Sequence, residues 1–275
     1  MDLISLLYPT SNIGFCALLL HLRSPHQTIR SVGQKYMQGP VSPMNFSIIK
    51  IGGSLIDVSR DIVRRLVSLS EEGVSFLVVP GGGPMADLVR DLSNRYDICE
   101  ETAHWMAILA MEEYAFFLAD RTGAALTDEI RRPGSGVWVL LPSRPLMRDD
   151  RELEHSWDYT SDSVAALVAW RLEADFVKAT DVEGVILDGE IEEEISAESL
   201  IGKRTCIDQG ALRILKSSGR SCLVLDGRDP DRFIARLKAG KGGTLIRGGG
   251  VGRSGPDVRE SLYPRIDQST EERVT

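Results

Sequence analysis

The fold of this chain is decided by one short stretch, Phe46-Ser47-Ile48-Ile49-Lys50-Ile51-Gly52-Gly53-Ser54. A run of mostly apolar, β-branched residues ends there in two glycines and a serine. Apolar residues at helical spacing follow at Ile62, Val63, Leu66 and Val67. The pattern predicts a buried strand, a tight turn and an amphipathic helix. Backbone N–H groups in such a turn, and the N-terminus of the next helix, favour the binding of a phosphate group.

A second unit of the same kind follows along the chain. Residues 74–79 predict another buried strand, which ends in Pro80-Gly81-Gly82-Gly83-Pro84 and leads into a predicted helix over residues 84–92. Glycine loops that follow successive parallel strands face the same crevice. Each loop alone is equally consistent with an ordinary turn, but the pair favours a site for two anionic ligands.

The rest of the central region alternates in the same way. Helices are predicted over residues 101–121, 161–173 and 208–215, and strands over 137–141, 176–179 and 222–225. Buried strands that alternate with helices indicate an α/β fold, a three-layer αβα sandwich around a mostly parallel central sheet.

The two ends of the chain lack this alternation. Residues 1–43 contain scattered prolines and no sustained period, so we interpret them as an N-terminal extension outside the core. Residues 248–275 mix glycine, proline and charged residues, which is typical of a flexible C-terminal tail. The catalytic core is therefore predicted over residues 44–247, and Met44 is a candidate start of the natural protein.

Composition disfavours several classes of protein. The chain has 32 Lys and Arg against 40 Asp and Glu, a formal net charge of -8, which disfavours a nucleic-acid partner. Its four cysteines lie far apart, so neither a zinc site nor a disulfide framework is indicated, and a reducing cytoplasm fits. The apolar run at residues 15–20 is too short to span a membrane, so no membrane partner is expected.

Two further segments carry candidate site residues. The first, Trp157-Asp158-Tyr159-Thr160-Ser161-Asp162-Ser163, leads into a predicted helix. Thr160 or Ser161 fits a helix N-cap and Asp162 complements the helix dipole, but Asp162 could equally orient lysine side chains while Ser161 contacts a phosphate. The second, Lys178-Ala179-Thr180-Asp181-Val182-Glu183-Gly184, runs from a strand into a polar turn that could hold a nucleotide.

These four segments, in this order and spacing, resemble the amino acid kinase superfamily, which includes acetylglutamate, aspartate, uridylate and isopentenyl phosphate kinases. The resemblance extends through Leu225-Asp226-Gly227-Arg228-Asp229-Pro230 to Gly243-Thr244-Leu245-Ile246, so it covers nearly all of the core. It implies an acceptor half over about 44–160 and a nucleotide half over about 161–247. It also implies an ATP-dependent phosphotransferase that uses Mg²⁺, acts on a small phosphorylated substrate and forms a homo-oligomer.

The resemblance also implies roles for individual residues. Lys50 bridges the donor and acceptor phosphates, and Asp162 holds it in place. The residues implied at ATP are Gly52, Gly53, Ser54, Lys178, Thr180, Asp181 and Gly184. The residues implied at the acceptor are Gly81, Gly82, Gly83 and Ser161, and no residue is implied as the ligand of a protein-bound metal.

One position departs from the superfamily pattern. Several members place a second phosphate-stabilising lysine near the start of the helix that begins here with Asp208, and this chain has Gln209 there. Lys178, Lys203 or Arg204 could supply that charge instead.

A closer resemblance is to the small-molecule kinases of methanofuran biosynthesis. It is carried by the segments that begin at Gly81, His104 and Glu154, which read GGGPMADLVR, HWMAILAM and EHSWDYTSD. It implies that the acceptor is (aminomethyl)furan-methyl phosphate and that the product is its diphosphate.

Other acceptors and a different class of protein remain alternatives. These are isopentenyl phosphate, a nucleoside monophosphate or an amino-acid carboxylate as acceptor, and a non-catalytic nucleotide- or anion-binding protein. Isopentenyl phosphate kinases carry a histidine beside the acceptor glycine loop, and none lies near Gly81–Gly83 in this sequence, which disfavours that acceptor. We interpret His104 as a structural or surface residue, and the helix over 101–121 as core or a subunit seam.

Overall fold

A computed structural model describes residues 45–249, so the predicted extension over 1–43 and almost all of the predicted tail lie outside the described residues. The described part contains ten strands. They are β1 (Asn45–Ile51), β2 (Val74–Pro80), β3 (Ala125–Thr127), β4 (Val137–Leu140), β5 (Phe176–Thr180), β6 (Ile186–Leu187), β7 (Glu190–Ile191), β8 (Glu194–Ser196), β9 (Cys222–Asp226) and β10 (Thr244–Arg247).

Eight α-helices connect these strands, and a single 3₁₀ turn over Gly53–Leu55 precedes the first of them. The helices are α1 (Ile56–Ser70), α2 (Gly83–Tyr96), α3 (Glu100–Ala119), α4 (Ser143–Arg148), α5 (Ser161–Arg171), α6 (Ala197–Leu200), α7 (Gln209–Ser218) and α8 (Pro230–Ala239). Among the described residues, no helix combines the length and the apolar character needed to cross a bilayer.

Eight of the strands form one sheet in the order β3-β4-β2-β1-β5-β9-β10-β8. All neighbouring strands pair in parallel except β9 and β10, which are antiparallel. The prediction of a mostly parallel sheet is therefore confirmed. The strands β6 and β7 form a separate antiparallel hairpin.

Apolar side chains fill both faces of the sheet. On β1, Ile49 and Ile51 belong to the core layer that contains Ile62 of α1 and Phe233 of α8. Successive strand residues point to opposite faces. Phe46 and Ile48 accordingly belong to the other layer, with residues of α5 and α7 such as Val164 and Leu212. These two layers confirm the predicted αβα sandwich, and the period of two places Lys50 on the face that α5 covers.

The elements that sequence reasoning missed are the short ones. These are β3, α4, β6, β7, β8, α6, α8 and β10. Most of them have two to six residues, too few to show a hydrophobic period. The exception is α8, which has ten residues and whose start the sequence indicates. Asp229 caps the helix through its side chain and Pro230 is the first helical residue.

One residue assigned to the tail belongs to the packed domain. Gly248 is buried, and a Cβ there would lie 2.0 Å from the carbonyl oxygen of Arg220 and 2.1 Å from that of Leu215. The backbone is packed so closely at this point that only glycine fits.

One carboxylate, that of Asp208, caps two helices. Its Oδ1 accepts hydrogen bonds from the backbone N of Ala211 at 2.7 Å, in α7, and from Ser163 Oγ at 2.6 Å, in α5. Its Oδ2 accepts from the backbone N of Thr160 at 3.0 Å, from Thr160 Oγ1 at 2.7 Å and from the backbone N of Ser163 at 3.1 Å. Thr160 is the N-cap residue of α5, as predicted, but its own side chain makes no capping bond. Asp208 supplies that cap and ties together the N-termini of α5 and α7.

We expect Asp208→Ala to lower the free energy of unfolding by about 2–4 kcal/mol, because two helices each lose a cap worth roughly 1–2 kcal/mol. The matched control is Asp229→Ala, since Asp229 caps α8 alone through the backbone N of Asp231 and Arg232 and should cost about 1 kcal/mol. Urea denaturation measures both losses. Equal losses in the two variants would contradict the double cap.

Candidate active site

The two glycine loops lie against each other at the carboxyl ends of β1 and β2. A Cβ on Gly53 would lie 2.4 Å from the backbone N of Gly83, and a Cβ on Gly81 would lie 2.7 Å from the backbone N of Gly53. Gly83 also has a φ of +55°, a left-handed conformation that favours glycine. The loops therefore need glycine for close packing as well as for approach to a ligand.

Backbone N–H groups of these loops are available to a ligand. The N–H groups of Gly52 and Gly81 donate to the carbonyl oxygens of Ala179 and Ile51, which holds each loop to its neighbouring strand. Within the part of the chain that the structure describes, those of Gly53, Gly82 and Gly83 donate to no backbone or side-chain oxygen. Convergent free N–H groups of this kind form an anion-binding concavity.

Two lysines and one aspartate lie beside the loops. Lys50 on β1 and Lys178 on β5 are opposite each other in the register of these neighbouring strands. Asp162, in the first turn of α5, lies between them: its Oδ1 is 2.8 Å from Lys50 Nζ and its Oδ2 is 2.5 Å from Lys178 Nζ. Lys178 also donates a hydrogen bond to the carbonyl oxygen of Cys206. All three side chains are buried, with residue exposures of 4–5%.

Burial and the attraction between opposite charges shift the pKa values of these three side chains in opposite directions. Burial alone would raise the pKa of Asp162, but Lys178 and Lys50 outweigh it and hold that pKa far below its ordinary value. Burial lowers the pKa of Lys50, and Asp162 offsets only part of this effect. Burial also acts to lower the pKa of Lys178, but its closer contact with Asp162 outweighs it, and the net shift is upward. Asp162 is therefore ionised, and its contact with Lys50 is longer than its contact with Lys178.

Of the three candidates for the second lysine, Lys178 is the one that lies beside Lys50, on the other side of Asp162. Lys203 and Arg204 are exposed, and no contact joins either side chain to Asp162. The sequence could not decide between them, because Lys178 is 128 positions from Lys50 along the chain and only the pairing of β1 with β5 brings them together.

A cavity of about 360 Å³ opens from the glycine loops. It is lined by Gly53, Ser54, Gly82, Gly83, Thr160 and Ser161, and its wall is largely apolar, with Ala107, Ile108 and Met111 of α3. Its volume lies within the usual range for small-molecule sites. Helix α3 thus has three faces: one lines the cavity, one packs in the core through Tyr114 and Leu118, and one leaves Leu109 and Phe116 exposed.

The residues implied at the nucleotide divide into two groups. Gly53 and Ser54 line the cavity, whereas Gly52 and Lys178 do not. Thr180, at the end of β5, and Asp181 and Gly184, in the turn that follows it, do not line the cavity either. A Cβ on Gly184 would lie 2.5 Å from Thr244 Oγ1, which accepts a hydrogen bond from the backbone N of Val185. Strand β10 therefore holds the turn after β5 in place.

Several residues that line the cavity were not predicted as site residues from the sequence, among them His104, Trp157 and Arg90. The guanidinium of Arg90 lies 4.8 Å from the centre of the Trp157 ring and 3.1 Å from Asp87. His104 is buried and lies on the cavity wall with Gly82 and Gly83. One sequence pattern could have indicated His104: it lies on the same face of α3 as Ala107, Ile108 and Met111, which also line the cavity.

A second histidine stacks on His104 outside the cavity. The ring of His155 lies 3.9 Å from that of His104, and the two planes are within 10° of parallel. His155 Nδ1 is 2.5 Å from Glu101 Oε2 and its Nε2 is 3.0 Å from Asp150 Oδ2. Burial acts to lower the pKa of His155, but these two carboxylates outweigh it and the net shift is upward. Burial and the neighbouring His155 lower the pKa of His104 to about 4.

We expect NMR titration of the imidazole nitrogens to give a pKa of about 4 for His104 and a value above 6.5 for His155. In His155→Gln the pKa of His104 should move upward, because the repulsion from the imidazolium is removed while the burial remains. Titration of both rings near 6.5 would contradict the stacked arrangement.

Comparison of the sequence with known proteins finds a family and several relatives that match this chain. The amino acid kinase family matches residues 45–130, which include both glycine loops. The (aminomethyl)furan-methyl phosphate kinase of Methanocaldococcus jannaschii is 30% identical over 203 residues, which cover 70% of this chain and 92% of that protein. A uridylate kinase of Methanothermobacter thermautotrophicus is 26% identical over 226 residues, 72% of this chain and 98% of that protein.

Solved structures share the fold. The uridylate kinase of Archaeoglobus fulgidus superposes with a TM-score of 0.56 at 21% identity, over 74% of this chain and all of that one. The UMP kinase of Bacillus anthracis does so with a TM-score of 0.51 at 14% identity, over 74% of this chain and 96% of that one. Since a relative at 30% identity is matched over nearly its whole length, the chain belongs to the amino acid kinase family and is a phosphotransferase.

Proposed function

We propose that this enzyme transfers the γ-phosphoryl group of ATP to a phosphomonoester and produces a diphosphate, with (aminomethyl)furan-methyl phosphate as the acceptor. The observation that carries the proposal is the cavity, which joins both glycine loops to an apolar wall. A phosphate bound at Gly82 and Gly83 would place the rest of a small acceptor against α3. The substrate named for the Methanocaldococcus relative has this form, a phosphate joined to one small ring.

The transfer needs positioning and charge neutralisation more than acid–base chemistry. The second ionisation of a phosphate monoester has a pKa of about 6, so an acceptor oxygen is already anionic at neutral pH. That oxygen attacks the γ-phosphorus, the bond from phosphorus to the bridging oxygen of ADP breaks, and a new P–O–P linkage forms. No covalent enzyme intermediate and no general base are required.

Lys50 is the group that we propose at the transferring phosphoryl. It is close to the first glycine loop, since a Cβ on Gly52 would lie 3.8 Å from Lys50 Nζ. A preorganised positive charge at the developing negative charge is among the largest contributions to catalysis. Asp162 would orient Lys50 and Lys178, so that one ammonium reaches between the two phosphates and the other supports the nucleotide side.

We propose the nucleotide site at the carboxyl ends of β1 and β5, where the free N–H group of Gly53 is available to one of the ATP phosphates. The proposed ATP residues are Gly52, Gly53, Ser54, Lys178, Thr180, Asp181 and Gly184. Magnesium, which the family implies, would be carried by the ATP phosphates and would neutralise part of their charge. Each carboxylate oxygen of Asp162 contacts a lysine, so we do not propose Asp162 as a metal ligand.

We also propose that the enzyme is a homo-oligomer. Leu109 and Phe116 on α3 are 48% and 57% exposed, and large apolar side chains on one helix favour burial against a second subunit. A cytoplasmic location remains a prediction from the cysteine pattern.

The proposed function is tested by supplying ATP, Mg²⁺ and a panel of acceptors and measuring ADP formation and product mass. The panel contains (aminomethyl)furan-methyl phosphate, isopentenyl phosphate, uridylate and an amino-acid carboxylate. We expect the furan phosphate to gain one phosphoryl group with the highest kcat/KM. If no phosphomonoester gains mass, the proposed function is wrong; if uridylate or isopentenyl phosphate is preferred, the proposed acceptor is wrong.

We expect Lys50→Ala to lower kcat by at least about a hundredfold while ATP still binds, the scale for losing one preorganised charge-stabilising group. Lys178→Ala should lower kcat as well, because Asp162 then pairs with Lys50 alone. Steady-state kinetics and nucleotide titration measure both effects. Lys203→Ala is the matched control, since Lys203 is exposed, and it should keep kcat near that of the unmodified enzyme. Near-normal turnover of Lys50→Ala would refute the proposed role.

A further inference from the structure

The cavity has two chemically different ends, and helix α3 connects them. Tyr114 contacts the glycine loops: its ring would be 3.6 Å from a Cβ on Gly83, and its hydroxyl donates to the carbonyl oxygen of Gly52. Glu100 and His104 line the cavity from the start of the same helix. At about 1.5 Å per residue, His104 lies roughly 15 Å from Tyr114 along the helix axis, and Glu100 lies still farther. These two residues therefore form the end of the cavity opposite the phosphate loops.

This far end carries an excess of negative charge. Glu100 is exposed to the cavity, and Glu101 and Asp150 lie just behind His104, where both carboxylates contact the ring of His155. Arg90 is the only arginine or lysine among the described residues that line the cavity, and its guanidinium forms an ion pair with Asp87. The far end consequently favours a cationic group, whereas the glycine loops favour an anionic one.

His104, at this end, has a ring nitrogen without a hydrogen-bond partner. The residue is 8% exposed, and its buried Nε2 makes no hydrogen bond within the part of the chain that the structure describes. With a pKa of about 4 the ring is neutral at pH 7, so in the Nδ1–H tautomer Nε2 accepts a hydrogen bond. A buried polar atom without a partner costs stability unless a ligand or water supplies one.

A metal ion explains this cluster less well. His104, Asp150 and His155 each have a ligand atom within 4.8 Å of the others. However, an imidazole nitrogen binds a metal through a lone pair in the ring plane. Two parallel rings stacked 3.9 Å apart cannot both direct such lone pairs at one ion. An organic cation that hydrogen-bonds to one ring needs no such convergence.

We propose that Glu100 and His104 form a subsite for a primary ammonium group on the acceptor, while the glycine loops hold the phosphate of the same molecule. This subsite rests on the proposed function, and it adds a physical basis for the choice between acceptors with and without an ammonium group. The preferred acceptors are zwitterions in which a small apolar ring or chain separates an ammonium from a phosphate. Phosphomonoesters without the ammonium leave Nε2 of His104 unpartnered and the far-end carboxylate uncompensated.

The test compares two acceptors that differ in one group. One is (aminomethyl)furan-methyl phosphate, and the other is the analogue in which a methyl group replaces the aminomethyl group. We expect the native enzyme to prefer the amine by roughly tenfold to a hundredfold in kcat/KM, the range for one hydrogen bond to a charged group. Glu100→Gln should reduce this ratio about tenfold, mainly through KM. His104→Phe, which keeps a ring to stack on His155, should reduce it similarly.

Glu113→Gln is the matched control, because Glu113 is exposed on the same helix and does not line the cavity. It should retain the native ratio. If Glu100→Gln and His104→Phe lower kcat/KM equally for both acceptors, the two residues are structural and the subsite is refuted. A native enzyme that uses both acceptors equally also refutes the subsite but leaves the proposed function intact. A native enzyme that phosphorylates neither acceptor refutes the proposed function, and the subsite with it.

Discussion

The carboxylate of Asp162 lies between two lysines that are too deeply buried to be tolerated without a counter-charge. Removing an ammonium from water costs several kcal/mol, and an ion pair offsets this cost only when its geometry is close. Asp162 meets the requirement with one oxygen for each lysine, at 2.8 Å and 2.5 Å. The backbone N of Asp208 donates to Asp162 Oδ2 at 3.3 Å, and the Asp208 carboxylate fixes the first turn of α5 from which Asp162 projects. The structure thus holds two lysine side chains next to each other, Lys50 on β1 and Lys178 on β5.

This arrangement reconciles an acidic protein with the site that we propose for two phosphorylated ligands. With a net charge of -8, the chain has no general positive field to attract anions. Local features replace it: free N–H groups in two touching glycine loops, and two lysines that a single aspartate orients. At the opposite end of the cavity, where Glu100 lies, acidic side chains would favour the ammonium group that we propose there.

The sequence predicted the local elements of this site and left open what depends on tertiary packing. The strands and glycine loops around Lys50 and Gly83 were predictable because a short apolar run and a glycine cluster are local signals. The pairing of Lys178 with Lys50 was not, because it depends on the register between β1 and β5. The cap of α5 comes from Asp208, 45 residues beyond Ser163, and no local pattern reports it. His104 was assigned to the core or surface because helical periodicity does not distinguish a buried face from a cavity wall.

We propose that Lys50, oriented by Asp162, lies between the phosphates of donor and acceptor. A crystal structure with a non-hydrolysable ATP analogue, Mg²⁺ and an acceptor phosphate would locate both phosphates. We expect Lys50 Nζ within hydrogen-bond distance, about 3 Å, of oxygens from both phosphates, with the acceptor phosphate at Gly82 and Gly83. Both phosphates bound away from the glycine loops, with Lys50 contacting Asp162 alone, would rule out this role of Lys50.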